Sequence, residues 1–323
     1  MDSWIEDVHN RARQVHDQIL EWAKTAAEHP ELGSALTSGA DSLYVLLERL
    51  YSENLPLARL HDKSDLLLHA EGPGTSDDAP SLAAVDWLTG KIRAQLAALT
   101  RSVLPMAVDD AERAAKNADW RLIGMAPGSV YMGFALRSPE PSMDLAAVDD
   151  EAFSMVRSAV YALPRVPRHI GDNEVDQSIA EDITDPALRD AALLAALALS
   201  PTGRGDIHTL DLTAPDGARG VLGQRERVVL RSAMAGHLKL PRKDGAFEGA
   251  LRAADLDRHR VVLRGVPGVG SLRCALPESV DARALFGSYV RVRGSYESDK
   301  NHRPRMMFVE SIEPAPQNVS LEI

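Results

Sequence analysis

Between Phe247 and Pro314 the sequence alternates apolar and polar residues in runs too short for helices and too regular for loops, and this stretch constrains the fold most. Phe247–Asp255 and Arg258–Arg264 read as two strands. The turn Gly265–Gly270 leads into a third, which ends Ser271-Leu272-Arg273-Cys274-Ala275-Leu276. Ser279–Phe286 is predicted as a short helix, and Tyr289–Gly294 and Met306–Glu310 as two closing strands. Strand, strand, strand, helix, strand, strand is the element order of a small, partly open five-stranded barrel.

The end of this stretch reads Val290-Arg291-Val292-Arg293-Gly294, then Asp299 to Pro304, then an apolar strand from Met307 to Glu313. It resembles the OB-like barrel that ends many uncharacterised bacterial proteins, a fold that often binds oligonucleotides. The resemblance covers about a fifth of the chain. It implies a fold and carries no activity with it.

Residues 1–238 mix helical and strand patterns. Trp4, Ile5, Val8, Val15, Ile19 and Trp22 recur at helical spacing, as do Leu43, Leu46, Leu47 and Leu50, and later Val85, Leu88, Ile92, Leu96 and Val103. Ser64–Glu71 is a short, largely apolar run closed by Gly72-Pro73-Gly74 and reads as a strand. Trp120–Met125 and Ser129–Leu136 form a hairpin pattern around Ala126-Pro127-Gly128. A helix over Asp149–Leu163 is followed by an interval, 164–184, whose prolines and polar residues predict an exposed loop. Asp185-Pro186 then opens a helix apolar on all sides up to Leu199, which must be buried. Ile207–Leu212 and Arg219–Leu222 pair as strands, and Gln224–Ala235 is a last helix. The fold class is therefore α+β, with N-terminal helices flanking a small, mostly antiparallel sheet, followed by a C-terminal five-stranded OB-like barrel. The expected domains are 1–238 and 239–316, with a tail at 317–323.

Charge is unevenly divided between these parts. Residues 1–238 hold 22 Lys and Arg against 36 Asp and Glu, a net of -14, whereas residues 239–323 hold 14 against 11, a net of +3. The overall net charge of -11 argues against a protein coated in nucleic acid, so a polyanion belongs on the C-terminal module and a protein partner on the acidic N-terminal part. No apolar run approaches the ~20 residues that span a bilayer, so no membrane association is expected. The single cysteine, Cys274, excludes a disulfide framework, and a reducing cytoplasm is the expected location. Its strand parity with Leu272 and Leu276 points it inward.

No nucleophile elbow, metalloprotease helix or phosphate-binding loop is present, and no catalytic residue, metal ligand or cofactor is called for. Gly265-x-x-Gly268-x-Gly270 has dinucleotide-like spacing but joins two strands and enters no helix, so a tight turn is the better account. Three functional readings follow. In the first, a non-enzymatic binding or adaptor protein uses the barrel for an elongated ligand, foremost single-stranded nucleic acid. If Val261, Leu263, Leu272, Cys274, Val290 and Val292 face inward, strand alternation turns Arg260, Arg264, Arg273, Tyr289, Arg291 and Arg293 outward, as cations for phosphates and a ring for stacking. In the second, an antitoxin-like or defence-system accessory subunit docks on a protein partner through its acidic N-terminal domain. In the third, a metal-dependent hydrolase gathers carboxylates scattered through the N-terminal domain, such as Asp65, Glu71 and Asp86.

Overall fold

The computed structural model describes residues 3–75, 79–103, 118–126, 129–137, 146–236, 241–255, 259–277, 279–280, 283–299 and 301–316. The chain divides into two units. One comprises Met1–Thr89, Trp120–Arg137 and Pro201–Gln224, the other Gly90–Asp119, Ser138–Ser200 and Arg225–Ile323. The boundary expected at 238–239 and the tail 317–323 lie outside the described residues. No helix among the described residues is long and apolar enough to cross a membrane.

The first unit is built on a five-stranded sheet, antiparallel throughout. Its strands are β1 (Leu66–Glu71), β2 (Trp120–Ala126), β3 (Val130–Leu136), β4 (Thr209–Thr213) and β5 (Arg219–Leu222), in the order β2-β3-β1-β4-β5. Three helices precede it. Helix α1 (Trp4–Glu28) starts at Ser3, whose hydroxyl accepts from the Glu6 amide at 3.4 Å, and buries Val8, Ala12 and Val15. Helix α2 (Gly33–Arg49) runs through a wider turn at Leu50–Asn54 into α3 (Leu55–Lys63). Val8 packs with Leu55 and Ala58, and Ala12 and Val15 pack with Leu50. The sequence pattern misses α3 because Leu55-Pro56 looks like a break, yet a first-turn proline lacks only an amide that would be unpaired anyway.

Helix α3 lies on the β2–β3 half of the sheet, where the sequence supplies glycines. A Cβ on Gly133 would overlap Ser64 Oγ, and one on Gly124 would come within 3.1 Å of Leu60 Cδ2. Alternation then divides the sheet. Leu66, Leu68, Ala70, Met132, Leu210 and Leu212 are buried on one face, while Leu67, His69, Tyr131, Asp211 and Thr213 share the other.

In the second unit, α4 (Leu82–Val103), which begins in the first, is followed by α5 (Ala146–Tyr161), a 3-10 turn at Leu163–His169, α6 (Ile179–Asp182), α7 (Pro186–Leu199) and α8 (Gln224–Gly236). The interval 164–184 is not the exposed loop its composition predicts. Val166, Ile170, Val175, Ile179 and Ile183 are buried, and Ile170 and Val175 form a short bridge. Its prolines rule out a long α-helix but not a 3-10 turn, and one apolar residue every three to five positions suffices to anchor it. Helix α7 is buried as expected, and the Asp185 carboxylate accepts from the amides of Ala187 and Leu188 at 2.8 and 3.2 Å.

The barrel consists of β6 (Lys243–Asp255), β7 (Arg260–Val266), β8 (Gly270–Ala275), β9 (Tyr289–Ser298) and β10 (Pro304–Pro314). β6 pairs with β7 and β9, β7 with β8, and β10 closes the ring, antiparallel to β9 and parallel to β8. Leu251, Val261, Leu263, Leu272, Val290, Val292 and Met307 fill it. At Gly294 the register of β9 with β10 shifts by one residue; its φ of 152° is open to glycine, and its missing Cβ makes room for the Phe308 carbonyl. The helix expected over Ser279–Phe286 is absent among the described residues. The amides of Val280, Phe286 and Ser288 donate to carbonyls three residues back, and that of Gly287 donates to Leu251 O in β6, so the segment spends its hydrogen bonds on turns and on the barrel wall.

Cys274 is fully buried in this core, and burial pushes its thiol pKa well above the ordinary value. It should resist a thiol reagent in the native protein and react quickly in denaturant. Labelling at equal rates in both states, followed by mass spectrometry, would place the thiol at the surface.

Candidate functional site

The six barrel residues expected to face outward do not have equal freedom. Arg260 is 7 % exposed and binds Asp190 of α7 through Nη2 at 2.9 Å and Nε at 3.2 Å. The Arg273 Nε donates to the other oxygen of the same carboxylate at 2.7 Å. Arg291 is paired with Glu248 of β6, its Nε donating at 2.6 Å. Arg264 and Tyr289 are half-buried, and Arg291 and Arg293 are exposed. Around the same helix, Arg189 and Arg242 both bind Glu297, and Arg305 donates to Asp185 at 3.1 Å. Much of the cationic charge read from strand parity is thus engaged within the unit.

Asp190 is the centre of this arrangement. Burial alone would raise its pKa, but the guanidinium groups of Arg273 and Arg260 outweigh that and hold it below the usual carboxylate range. The stabilisation is fully present above the unfolded value of about 4 and is lost as pH falls through the lower folded value. Asp190→Ala leaves two guanidinium groups without their counter-charge and should cost about 3–5 kcal/mol in urea unfolding. A loss below about 1 kcal/mol, the range of an exposed ion pair, would show that the pair is dispensable.

The carboxylates considered for a hydrolase are not assembled. Asp65 is buried and accepts from the Leu136 amide at 2.8 Å, fixing the end of the sheet, and Glu71 accepts from the Thr209 hydroxyl at 3.2 Å. Among the described residues no three His, Cys, Asp or Glu side chains gather as a metal-holding group.

A site that the sequence pattern does not reveal lies in the first unit. A groove of about 770 Å³ opens over the β1–β4–β5 half of the sheet, beside α3, and is lined by Trp4, Ile5, Leu57, His61, Leu67 and Tyr131 together with Asp62, Lys63, His69, Asp211, Thr213 and Arg219. Its floor follows from register. His69 on β1 stands opposite Tyr131 on β3 and opposite Asp211 on β4, so three polar side chains from adjacent strands form one row. The His69 and Tyr131 rings stack at 4.0 Å with 4° between planes. Burial, then the charge of Asp211, raises the Tyr131 pKa. Asp211 Oδ2 receives the Arg219 guanidinium, with Nε at 2.7 Å, while Oδ1 is buried with no hydrogen-bond partner.

The rim of the groove is held by one carboxylate. Asp62 accepts from the Ser3 hydroxyl at 2.6 Å and from the Trp4 and Ile5 amides at 3.1 Å each, and Trp4 lies flat on His61 at 3.8 Å. Burial raises the Asp62 pKa, but the Ser3 hydroxyl, the Ile5 amide and His61 together bring it below the usual value. The tie is intact above the ordinary carboxylate range and weakens as pH falls through the depressed value. Asp62→Asn should speed hydrogen exchange at the Trp4 and Ile5 amides about tenfold, the effect of losing one hydrogen bond to a charged group, and leave β1 exchange unchanged. Unaltered exchange at both amides would mean that the helix start is held elsewhere.

No protein-family model, curated protein or solved structure matches the chain. The geometry therefore defines the class by itself: a mixed α+β chain carrying a closed five-stranded barrel, with a groove on the sheet of the other unit.

Proposed function

We propose that this protein is a binding protein whose small-molecule site is the groove on the β1–β4–β5 half of the sheet. The observation that carries the reading is the convergence of His69, Tyr131, Asp211 and Arg219 on a mainly apolar groove of about 770 Å³. Ligand sites combine a concave apolar surface with a few convergent polar groups. The barrel is a weaker candidate because Arg260, Arg273 and Arg291 are already paired with carboxylates. A single-strand groove needs cations that phosphates can reach.

A thermal-shift screen of a small-molecule fragment library tests this. Fragments that raise Tm should lose their effect in Thr213→Trp, which fills the groove, and keep it in an Arg291→Ala/Arg293→Ala double variant. A labelled single strand whose binding weakens steeply with salt and disappears in the double variant would overturn the reading in favour of the barrel.

A further inference from the structure

We infer that the hairpin of α1 and α2 is the contact through which two copies of this chain pair, α1 of each copy lying on α2 of the other in a four-helix bundle. The inference is independent of the groove. Within one chain the hairpin has a single seam. Ala12 and Val15 of α1 pack with Leu50, Ile19, Leu43 and Leu47 pack against the same cluster, and the Trp22 ring fills the space that a side chain at Gly39 would need. These contacts use the inward stripe of each helix. They leave a flank on which His16 approaches Tyr51, with ring centroids 6.5 Å apart.

Helical spacing fixes the rest of that flank. Arg13, His16, Leu20 and Lys24 follow one another at three or four residues along α1, and Asp41, Tyr44, Glu48 and Tyr51 do so along α2 and the turn after it. Leu20 is 67 % exposed, Tyr44 55 % and Tyr51 43 %. Large apolar and aromatic side chains gathered on one flank, unlike single ones scattered over a surface, mark an interaction site. A second pair of helices laid on such a flank completes the core of a bundle.

The charges say what covers it. The α1 stripe carries the cations Arg13 and Lys24, and the α2 stripe the carboxylates Asp41 and Glu48. All four are exposed, and none forms an ion pair with another described residue. A two-fold axis running along the helices sets α1 on α2 of the copy, so that cations face carboxylates twice, whereas an axis across the helices would set like charge on like. The flank is therefore complementary to itself, and a second copy is its occupant.

Sedimentation equilibrium of the whole chain tests this at about 0.15 M salt, where the net acidity of the protein is screened beyond about 8 Å. A contact three turns long, about 16 Å, is smaller than a standard interface, so the parent should pass from the monomer mass toward twice that value between about 1 and 200 µM. Leu20→Lys with Tyr44→Lys, both at exposed positions, should raise the dissociation constant at least about tenfold and leave the circular dichroism spectrum unchanged. Arg13→Glu with Lys24→Glu should weaken pairing similarly, because carboxylates then face carboxylates. Adding Asp41→Lys and Glu48→Lys to that variant should restore the dimer to within about threefold of the parent, a recovery that misfolding could not produce. A parent that stays monomeric throughout overturns the inference. So does a dimer indifferent to both two-site variants, which would place the contact elsewhere, and so does a four-site variant as weak as the charge-reversed one, since the two stripes would then not face each other.

Discussion

A strand hydrogen-bonded along both edges has only its two faces left to offer, and β1, between β3 and β4, is the middle one of three such strands in the first unit. Its even-numbered residues, Leu66, Leu68 and Ala70, are wholly buried, and this fixes register, because a slip of one position would exchange them for Leu67, His69 and Glu71. With register fixed, Tyr131 and Asp211 must flank His69. The polar row at the floor of the groove is thus a by-product of apolar burial on the opposite face. The glycines at 124 and 133 decide where the covering helix rests, and the uncovered remainder of the sheet is the groove.

The barrel illustrates a different use of charge. Buried ion pairs contribute little net stability compared with apolar packing, but they penalise any arrangement that leaves one member alone. Asp190 and Glu297 each hold two arginines, so α7 has one azimuth on the barrel that satisfies all of them. That specificity accounts for charged residues along a helix otherwise made of alanine and leucine.

Periodicity made most of the architecture legible in the sequence. The strands of the barrel, both hairpins of the sheet, the long helices and the burial of Pro186–Leu199 all follow from spacing two or spacing three to four, because each of these elements answers to its own residues. The misses are of another kind. The stretch 279–286 has helical composition, yet the amides of Val280 and Phe286 are spent on turns and that of Gly287 on β6; α3 hides behind a proline; and 164–184 is anchored by isolated apolar residues. Parity placed Arg260 and Arg273 on the outer side of their strands, but no local pattern could reveal that a carboxylate at least 70 residues earlier occupies them. The groove was illegible for the same reason. Trp4, His61, His69, Tyr131 and Asp211 belong to separate elements, and only strand pairing and helix packing bring them together. Its one local signal was the polar His69 inside an apolar strand.

The order of the sheet also sets a timetable for synthesis. β1 leaves the ribosome early, its first partner β3 follows about sixty residues later, and β4, which covers its other edge, emerges some 140 residues after β1. Until then an apolar strand with an open edge must wait in a growing chain, the state most exposed to pairing with a neighbour. The closed barrel, whose strands are all contained between residues 243 and 314, faces no such delay. Nascent-chain quality control on this protein therefore falls chiefly on the interval before residue 209, and ribosome-associated chaperones should engage it there.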